Sequence, residues 1–306
     1  MARILIILTS FLFFNQLIYS KTDLKFDLKV GESYHQTMNA KSVINQVQSG
    51  QEIDMLMSMS GSMTYKVIEK KENIYSMDVV YDSLSMGISM QGYDVVYSSE
   101  NPKDSNDYIS ILLAALRDMK FGIKMTERGK IVDITNFEGL FDKAFKTIQN
   151  LEPTVKKQLE ENLKNSFGKE NFKSSFETIT AIFPPEPVEL GRQWVAEAVL
   201  NNNMPVRINT LYKFENETED NYVITGVGTL ISYQPKDGNY NNTTPYTYQL
   251  TGTVGSEIKL DKNTGWIKEA RVKQEMSGYS ILKSELGKEN PNKIKMEFKV
   301  ITTYND

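Results

Sequence analysis

"GIKMTERGKIVDI" (residues 122–134) and "EIKLDKNTGWIKEA" (residues 257–270) read as one object written twice. In each, Ile-Lys precedes a polar turn, a glycine closes the turn, and an isoleucine follows two residues later. Apolar and polar residues alternating on both sides of a short Gly-containing turn mark a β-hairpin. Two further echoes accompany it. "LKVGESY" (28–34) matches "VELGRQW" (188–194): apolar, Gly, two polar residues, aromatic. "YKVIEKKENIY" (65–75) matches "YKFENETEDNY" (212–222), both running from Tyr-Lys to Tyr around a charged turn. The matches keep the same order in both halves, which predicts an internal duplication with pseudo-repeats over about 25–135 and 186–306.

The first repeat reads as β up to about Ser99. Ile53, Met55, Met57 and Met59 fall at every second position and share one strand face. Tyr75, Met77, Val79 and Tyr81 alternate on the return strand. Residues 104–119 change period: Ile109, Leu112, Leu113 and Leu116 make a helical stripe, with Asp104 or Ser105 as its cap. A helical segment over about 137–183 joins the repeats. Leu140, Phe141, Ala144, Phe145 and Ile148 form one stripe, and Val155, Leu159, Leu163 and Phe167 another behind Pro153. "FPPEP" (183–187) ends helix, because consecutive prolines cannot continue it. The period then returns to two, in strands that include "YTYQLTGTV" and "EIKLD" as separate elements. "GVG" (226–228) reads as a bulge or kink, and 235–245 as a loop. The expected fold class is α+β. Two duplicated, curved antiparallel β-sheets, half-barrel-like, pack with a central helical segment to form a single domain over 21–306.

Of 306 residues, 40% are hydrophobic and 24% charged, a globular balance. The net charge of -4, with no Lys/Arg block, points away from nucleic acid. Residues 1–20 carry Arg3, then an apolar run from Ile4 to Phe14, and end in Ile18-Tyr19-Ser20, with Ser20 as a small residue before Lys21. This is the pattern of a secretory signal peptide; Asn15-Gln16 interrupts the run and disfavours an uncleaved anchor helix. No later stretch is long and apolar enough for a helical span. The chain has no Cys, hence no disulfide and no lipidated N-terminal Cys. The expected location is exported, periplasmic or extracellular, and not lipid-anchored.

The order of these features resembles a family of uncharacterised exported bacterial proteins defined as a domain of unknown function. The likeness runs through the signal peptide, the "VGESY" start, the Met-rich strands, the helix before "FGIKMTERGKI", the "FPPEPVELGRQW" resumption and the "IKLDKNTGWI" hairpin. Members are often lipid-anchored, which this chain lacks the Cys to be. The motifs are turns and strand starts, so the resemblance implies a fold and no catalytic role. A looser topological likeness is to the half-barrels of periplasmic lipoprotein carriers.

His35 is the only histidine and reads as a structural or surface residue. No Ser-His or Cys-His site and no His-based zinc site can be built from it, and no G-x-S-x-G elbow, P-loop or G-x-G-x-x-G fingerprint is present. "ENETED" (215–220) lacks the spacing of a calcium loop and reads as a solvated turn. "NET", "NNT" and "NTT" match glycosylation sequons, relevant only in a eukaryotic secretory pathway. No cofactor or metal is expected. Met55, Met57, Met59, Met63, Met77, Met86 and Met90 are the unusual feature. Thioethers bind Cu(I), but strand-face spacing without histidine favours either core packing or an adaptable apolar wall. The reading is a non-enzymatic exported protein that binds an apolar or lipid-like ligand, with Met55, Met57, Met59, Met77 and Tyr75 as the wall. A cell-envelope module that binds another protein is the alternative, and a carboxylate-based hydrolase a third.

Overall fold

The computed structural model describes residues 20–48, 50–102, 106–148, 151–200, 204–234, 245–286, 288 and 292–306; the signal-peptide reading therefore lies outside the described residues, apart from Ser20. The first half holds β1 (Ser33–Gln48), β2 (Gln51–Lys71), β3 (Ile74–Met90), β4 (Tyr93–Ser98), α1 (Tyr108–Leu116), β5 (Lys120–Thr126) and β6 (Ile131–Thr135). Three helices follow: α2 (Glu138–Lys146), α3 (Pro153–Phe167) and α4 (Lys169–Thr180). The second half holds β7 (Gln193–Leu200), β8 (Val206–Glu217), β9 (Asn221–Ser232), β10 (Tyr246–Asp261), β11 (Ile267–Leu282) and β12 (Lys293–Asn305), with one turn of 3-10 helix (Lys283–Glu285) between the last two.

The two expected sheets are halves of one continuous, curved antiparallel sheet. Its strand order is β6-β5-β3-β2-β1-β12-β11-β10-β9-β8-β7, with β4 paired to β3 off this path. The quoted echoes make β1, β2, β3, β5 and β6 the counterparts of β7, β8, β9, β10 and β11. The sheet therefore sets two five-stranded meanders head to tail, and β12 joins the last strand of one (β11) to the first strand of the other (β1). Irregularities repeat as well. The β2–β3 register shifts between Val67 and Glu69, and the β8–β9 register between Phe214 and Asn216, the matching pair. The β5–β6 and β10–β11 hairpins shift at Lys124/Met125 and Lys259/Leu260. Each bulge adds local twist at the same place in both halves.

The halves also lock each other. The lead-in strands meet where Thr22 and Val188 exchange two backbone hydrogen bonds, at 2.8 and 2.9 Å. The Phe26 N–H donates to the Glu127 carbonyl at the tip of the first quoted hairpin (2.9 Å), and the Asp27 N–H to the Thr264 carbonyl at the tip of the second (2.7 Å). Two glycines permit this closeness. Gly129 and Gly265 sit at φ 81° and 67°. A Cβ on Gly129 would meet the Thr180 carbonyl, and one on Gly265 the Lys25 carbonyl. The opening pattern of sequence thus marks where each hairpin is clasped by the segment leading into the other half or its own.

Helices cover one end of the concave face. Tyr65, Val67, Met77, Val79, Leu112, Leu113, Phe121, Phe141 and Phe176 belong to one large core beneath them, which also takes Phe214, Ile258 and Trp266 from the second half. A smaller core of Val206, Ile208, Leu230, Leu250, Val254, Met276, Ile294 and Met296 fills the far end of the second half. The cap of α1 is Asp107, whose carboxylate accepts from the Ser110 N–H at 3.2 Å; Asp104 and Ser105 lie outside the described residues. Pro153 opens α3 as expected, but Val155 is exposed and leaves the stripe to Leu159 and Leu163. "YTYQLTGTV" and "EIKLD" are one strand, since pairing runs unbroken through Gly255-Ser256. Register also runs unbroken through Gly226–Gly228. The glycine at 228 is needed because a side chain there would strike the backbone of Asn209 and Thr210, not because the strand bulges.

Glu177 on α4 ties the helix to the first hairpin: its carboxylate accepts from the Ile131 N–H at 2.7 Å. Burial raises its pKa, partly offset by that hydrogen bond. A carboxyl whose folded pKa is raised binds its proton more tightly when folded, so its contribution to stability is largest in acid and is lost as pH rises through the raised pKa. Glu177→Gln keeps an acceptor and removes this slope; urea titrations at several pH values should show the variant flatter and no less stable near neutrality. Glu177→Ala leaves the Ile131 N–H unpaired and should cost about 1–3 kcal/mol.

Candidate functional site

Pairing fixes which side chains share the concave face. In the β1–β2 ladder Met38, Ala40, Ser42 and Ile44 stand opposite Gly61, Met59, Met57 and Met55. Across β2–β3, Met55, Met57 and Met59 face Met90, Ile88 and Met86. Across β1–β12, Ile44, Ser42 and Ala40 face Phe298, Val300 and Thr302. Opposite residues lie about 5 Å apart on the same side of a sheet. They form a grid of thioethers, aliphatic groups and Phe298, with Ser42 and Thr302 among them, on the concave side, and it runs from Met59 at the edge of α4 outward to Met55. Met55, Met57, Met59, Met86, Ile88 and Met90 are all half-buried, and none belongs to either core or packs on its margin. An apolar trough thus lies between two cores.

Where the trough runs under α4 it deepens into a pocket of about 140 Å³. Met38, Met59, Met63 and Leu84 line its sheet side, Phe172, Phe176 and Ile179 its helix side, and Trp266 and Tyr304 its second-half side. It therefore sits at the splice of the duplication, where β1 meets β12. Its polar atoms are engaged: Gln36 Nε2 donates to the Asn305 carbonyl at 2.9 Å, Trp266 Nε1 to the His35 carbonyl at 2.9 Å, and Tyr65 Oη to Met63 Sδ at 3.4 Å. Among the described residues no charged side chain lines the pocket. Burial pushes the Tyr304 hydroxyl up to about 12, with a hydrogen bond to Thr178 opposing, and it raises Tyr65 and Tyr81 as well. The phenols stay neutral through the physiological range.

The residues expected as a ligand wall divide. Met59 lines the pocket, and Met55 and Met57 continue from it along the trough. Met77 and Tyr75 lie elsewhere, 2% and 0% exposed in the large core. Tyr75 is a strut: its hydroxyl accepts from the Leu28 N–H at 3.1 Å and donates to the Phe26 carbonyl at 3.2 Å. The β2–β3 bulge between Ser62 and Met63 marks where the β3 face passes from closed core to open trough. Gln36, Tyr304, Phe176 and Trp266 were not legible as pocket residues, since they come from chain segments far apart in sequence. His35 is exposed, its Nδ1 3.0 Å from Thr64 Oγ1. In the "ENETED" turn, Glu215 and Glu217 pair with Lys213 and Lys262 at 3.0 and 2.6 Å.

Among the described residues no helix is long and apolar enough to cross a membrane. No curated protein matches the chain in sequence. Among solved structures, lipovitellin, from a study of its lipid–protein interactions, aligns over 90% of this chain at 10% identity and a TM-score of 0.45; the chain spans 25% of the lipovitellin chain. The translocator domain of the autotransporter NalP from Neisseria meningitidis aligns over 92% of this chain and 90% of its own, at 10% identity and a TM-score of 0.18. A domain described as an outer membrane lipoprotein-sorting protein from Vibrio parahaemolyticus aligns over 86% and 83%, at 8% identity and a TM-score of 0.13. Scores this low bear on neither fold nor function. The model of a family of unknown function (DUF6263) matches residues 72–267, from the start of β3 to the start of β11, so most of the trough strands β1, β2 and β12 fall outside it. With most of the chain matched, the protein belongs to that family.

Proposed function

We propose that this is an exported, non-enzymatic binding protein whose Met-lined trough and α4-roofed pocket take an apolar, lipid-like ligand. One observation carries the reading: Met55, Met57 and Met59, with Met86, Ile88 and Met90 across from them, are half-buried and pack against neither core, whereas Ile44 and Phe298 on the same face pack on the smaller one; apolar surface left uncovered forgoes about 25 cal/mol per Å². Methionine suits such a wall, being flexible and polarizable enough to fit chains of varied shape. The convex face has a different character. On β1, β2 and β12 it carries Lys41, Asp54, Lys66, Lys295 and Lys299 among Ser, Thr and Asn, with Val43, Leu56 and Ile68 exposed singly between them.

Trp266, one of two tryptophans, borders the pocket. Long-chain lipid added to the purified protein should shift its emission saturably, and should displace an apolar fluorescent probe with the same midpoint. A probe that does not bind, with tryptophan emission unmoved, sinks the proposal. Because the pocket holds no group that titrates between about pH 5 and 9, the affinity for an uncharged lipid should be flat across that range.

A further inference from the structure

We infer that the ligand is a single-chain lipid selected by the length of its chain and not by its headgroup, with the chain end under α4 and the polar end beyond the rim formed by Gln46 and Ile53. The inference rests on the proposed binding function and adds the class and direction of the ligand.

Two observations carry it. The first is the absence of charge along the whole path. From the pocket to the rim, the concave rows of β1, β2, β3 and β12 contain Met, Ile, Leu, Val, Phe, Ala, Gly, Ser, Thr, Gln and Tyr, and no Asp, Glu, Lys or Arg. An ionised headgroup drawn inside would lose its hydration with no partner to replace it, which is prohibitive. Gln36 and Thr180, buried polar side chains that line the pocket end, are already committed, Gln36 to the Asn305 carbonyl and Thr180 to the Gly129 carbonyl. A chain can enter this end; a headgroup cannot.

The second observation is length. Met38, at the pocket, and Gln46, at the rim, lie on the same face of β1. At ~3.3 Å per residue they are about 26 Å apart. An extended alkyl chain advances ~1.25 Å per carbon, given bonds near 1.5 Å. The trough therefore holds about 20 carbons, with the distal carbons enclosed by Phe176, Ile179 and Met59. Met59 stands where trough becomes pocket. It pairs with Ala40 and Met86, lines the pocket, and belongs to neither core.

The test is a matrix of ligands on the full chain, read by probe displacement: fatty acids, fatty alcohols and alkylamines of equal length, from about 8 to about 22 carbons. At fixed length the three headgroups should bind within about threefold of one another. Affinity should climb by about fourfold per methylene and level off near 20 carbons. Met59→Trp, which narrows the passage to the pocket without entering a core, should shift the plateau to shorter chains, with circular dichroism unchanged. A preference above tenfold for acid over amine, or the reverse, overturns headgroup indifference while leaving lipid binding standing. An affinity that does not grow with length, or a plateau unmoved by Met59→Trp, overturns the chain placement. If the probe and every member of the series fail to bind, the binding function itself falls.

Discussion

Gly265→Ala lowers stability by about 3 kcal/mol or more, read as a fall in the urea midpoint at unchanged slope. Two costs combine. Gly265 has φ 67°, where a Cβ costs roughly 1–2 kcal/mol. That Cβ would also stand on the Lys25 carbonyl and push the N-terminal lead-in off the hairpin, breaking the bond from the Asp27 N–H to the Thr264 carbonyl. Phe26 is buried beside Trp266, their rings 5.9 Å apart, so the displacement reaches the large core. Gly191→Ala is the control. Gly191 has φ 83° but nothing within 4 Å of its would-be Cβ, so only the conformational cost of about 1–2 kcal/mol remains. Equal losses in the two variants would mean that the lead-in does not clasp the hairpin.

Met57→Asp weakens lipid binding by at least tenfold and changes stability by no more than about 1 kcal/mol. The side chain is half-buried, faces Ser42 and Ile88 across the ladders, and packs in neither core. In the free protein its carboxylate can reach water; against a bound chain it cannot, and an unpaired charge so buried costs several kcal/mol. Met77→Ala should do the reverse. Met77 is 2% exposed in the large core, and its truncation should cost about 2–5 kcal/mol of stability through the cavity left behind. Two methionines that look alike in sequence thus separate by readout: one carries binding, the other the fold.

Much of the fold is legible from the residues because the duplication repeats local rules. Period-two alternation identifies the β2 and β3 faces, and the paired hairpins with Gly129 and Gly265 locate matching turns and, unexpectedly, matching bulges. What local pattern cannot supply is the partner of an edge. The sequence suggests two sheets because nothing in "KIKMEFKVITTY" states that β12 pairs with β1 as well as β11. The same limit governs the site. Alternation puts Met55, Met57, Met59, Tyr75 and Met77 on apolar faces, but both positions along a long strand and the reach of the helices decide which of these is roofed. Helices end over Met77 and leave Met57 open. The pocket itself is assembled from β1, β2, β3, α4, β12 and the start of β11, a juxtaposition set by the β1–β12 splice.

The central claim is that the trough is occupied by lipid, and native mass spectrometry of the full chain, expressed with its N-terminal segment and purified without detergent, tests it most directly. The account predicts a reproducible added mass of lipid size that disappears on denaturation, and that is lost or sharply reduced in Met57→Asp while persisting in Gly191→Ala. A protein that flies at its bare mass, and takes up nothing when long-chain lipid is added before measurement, would contradict it.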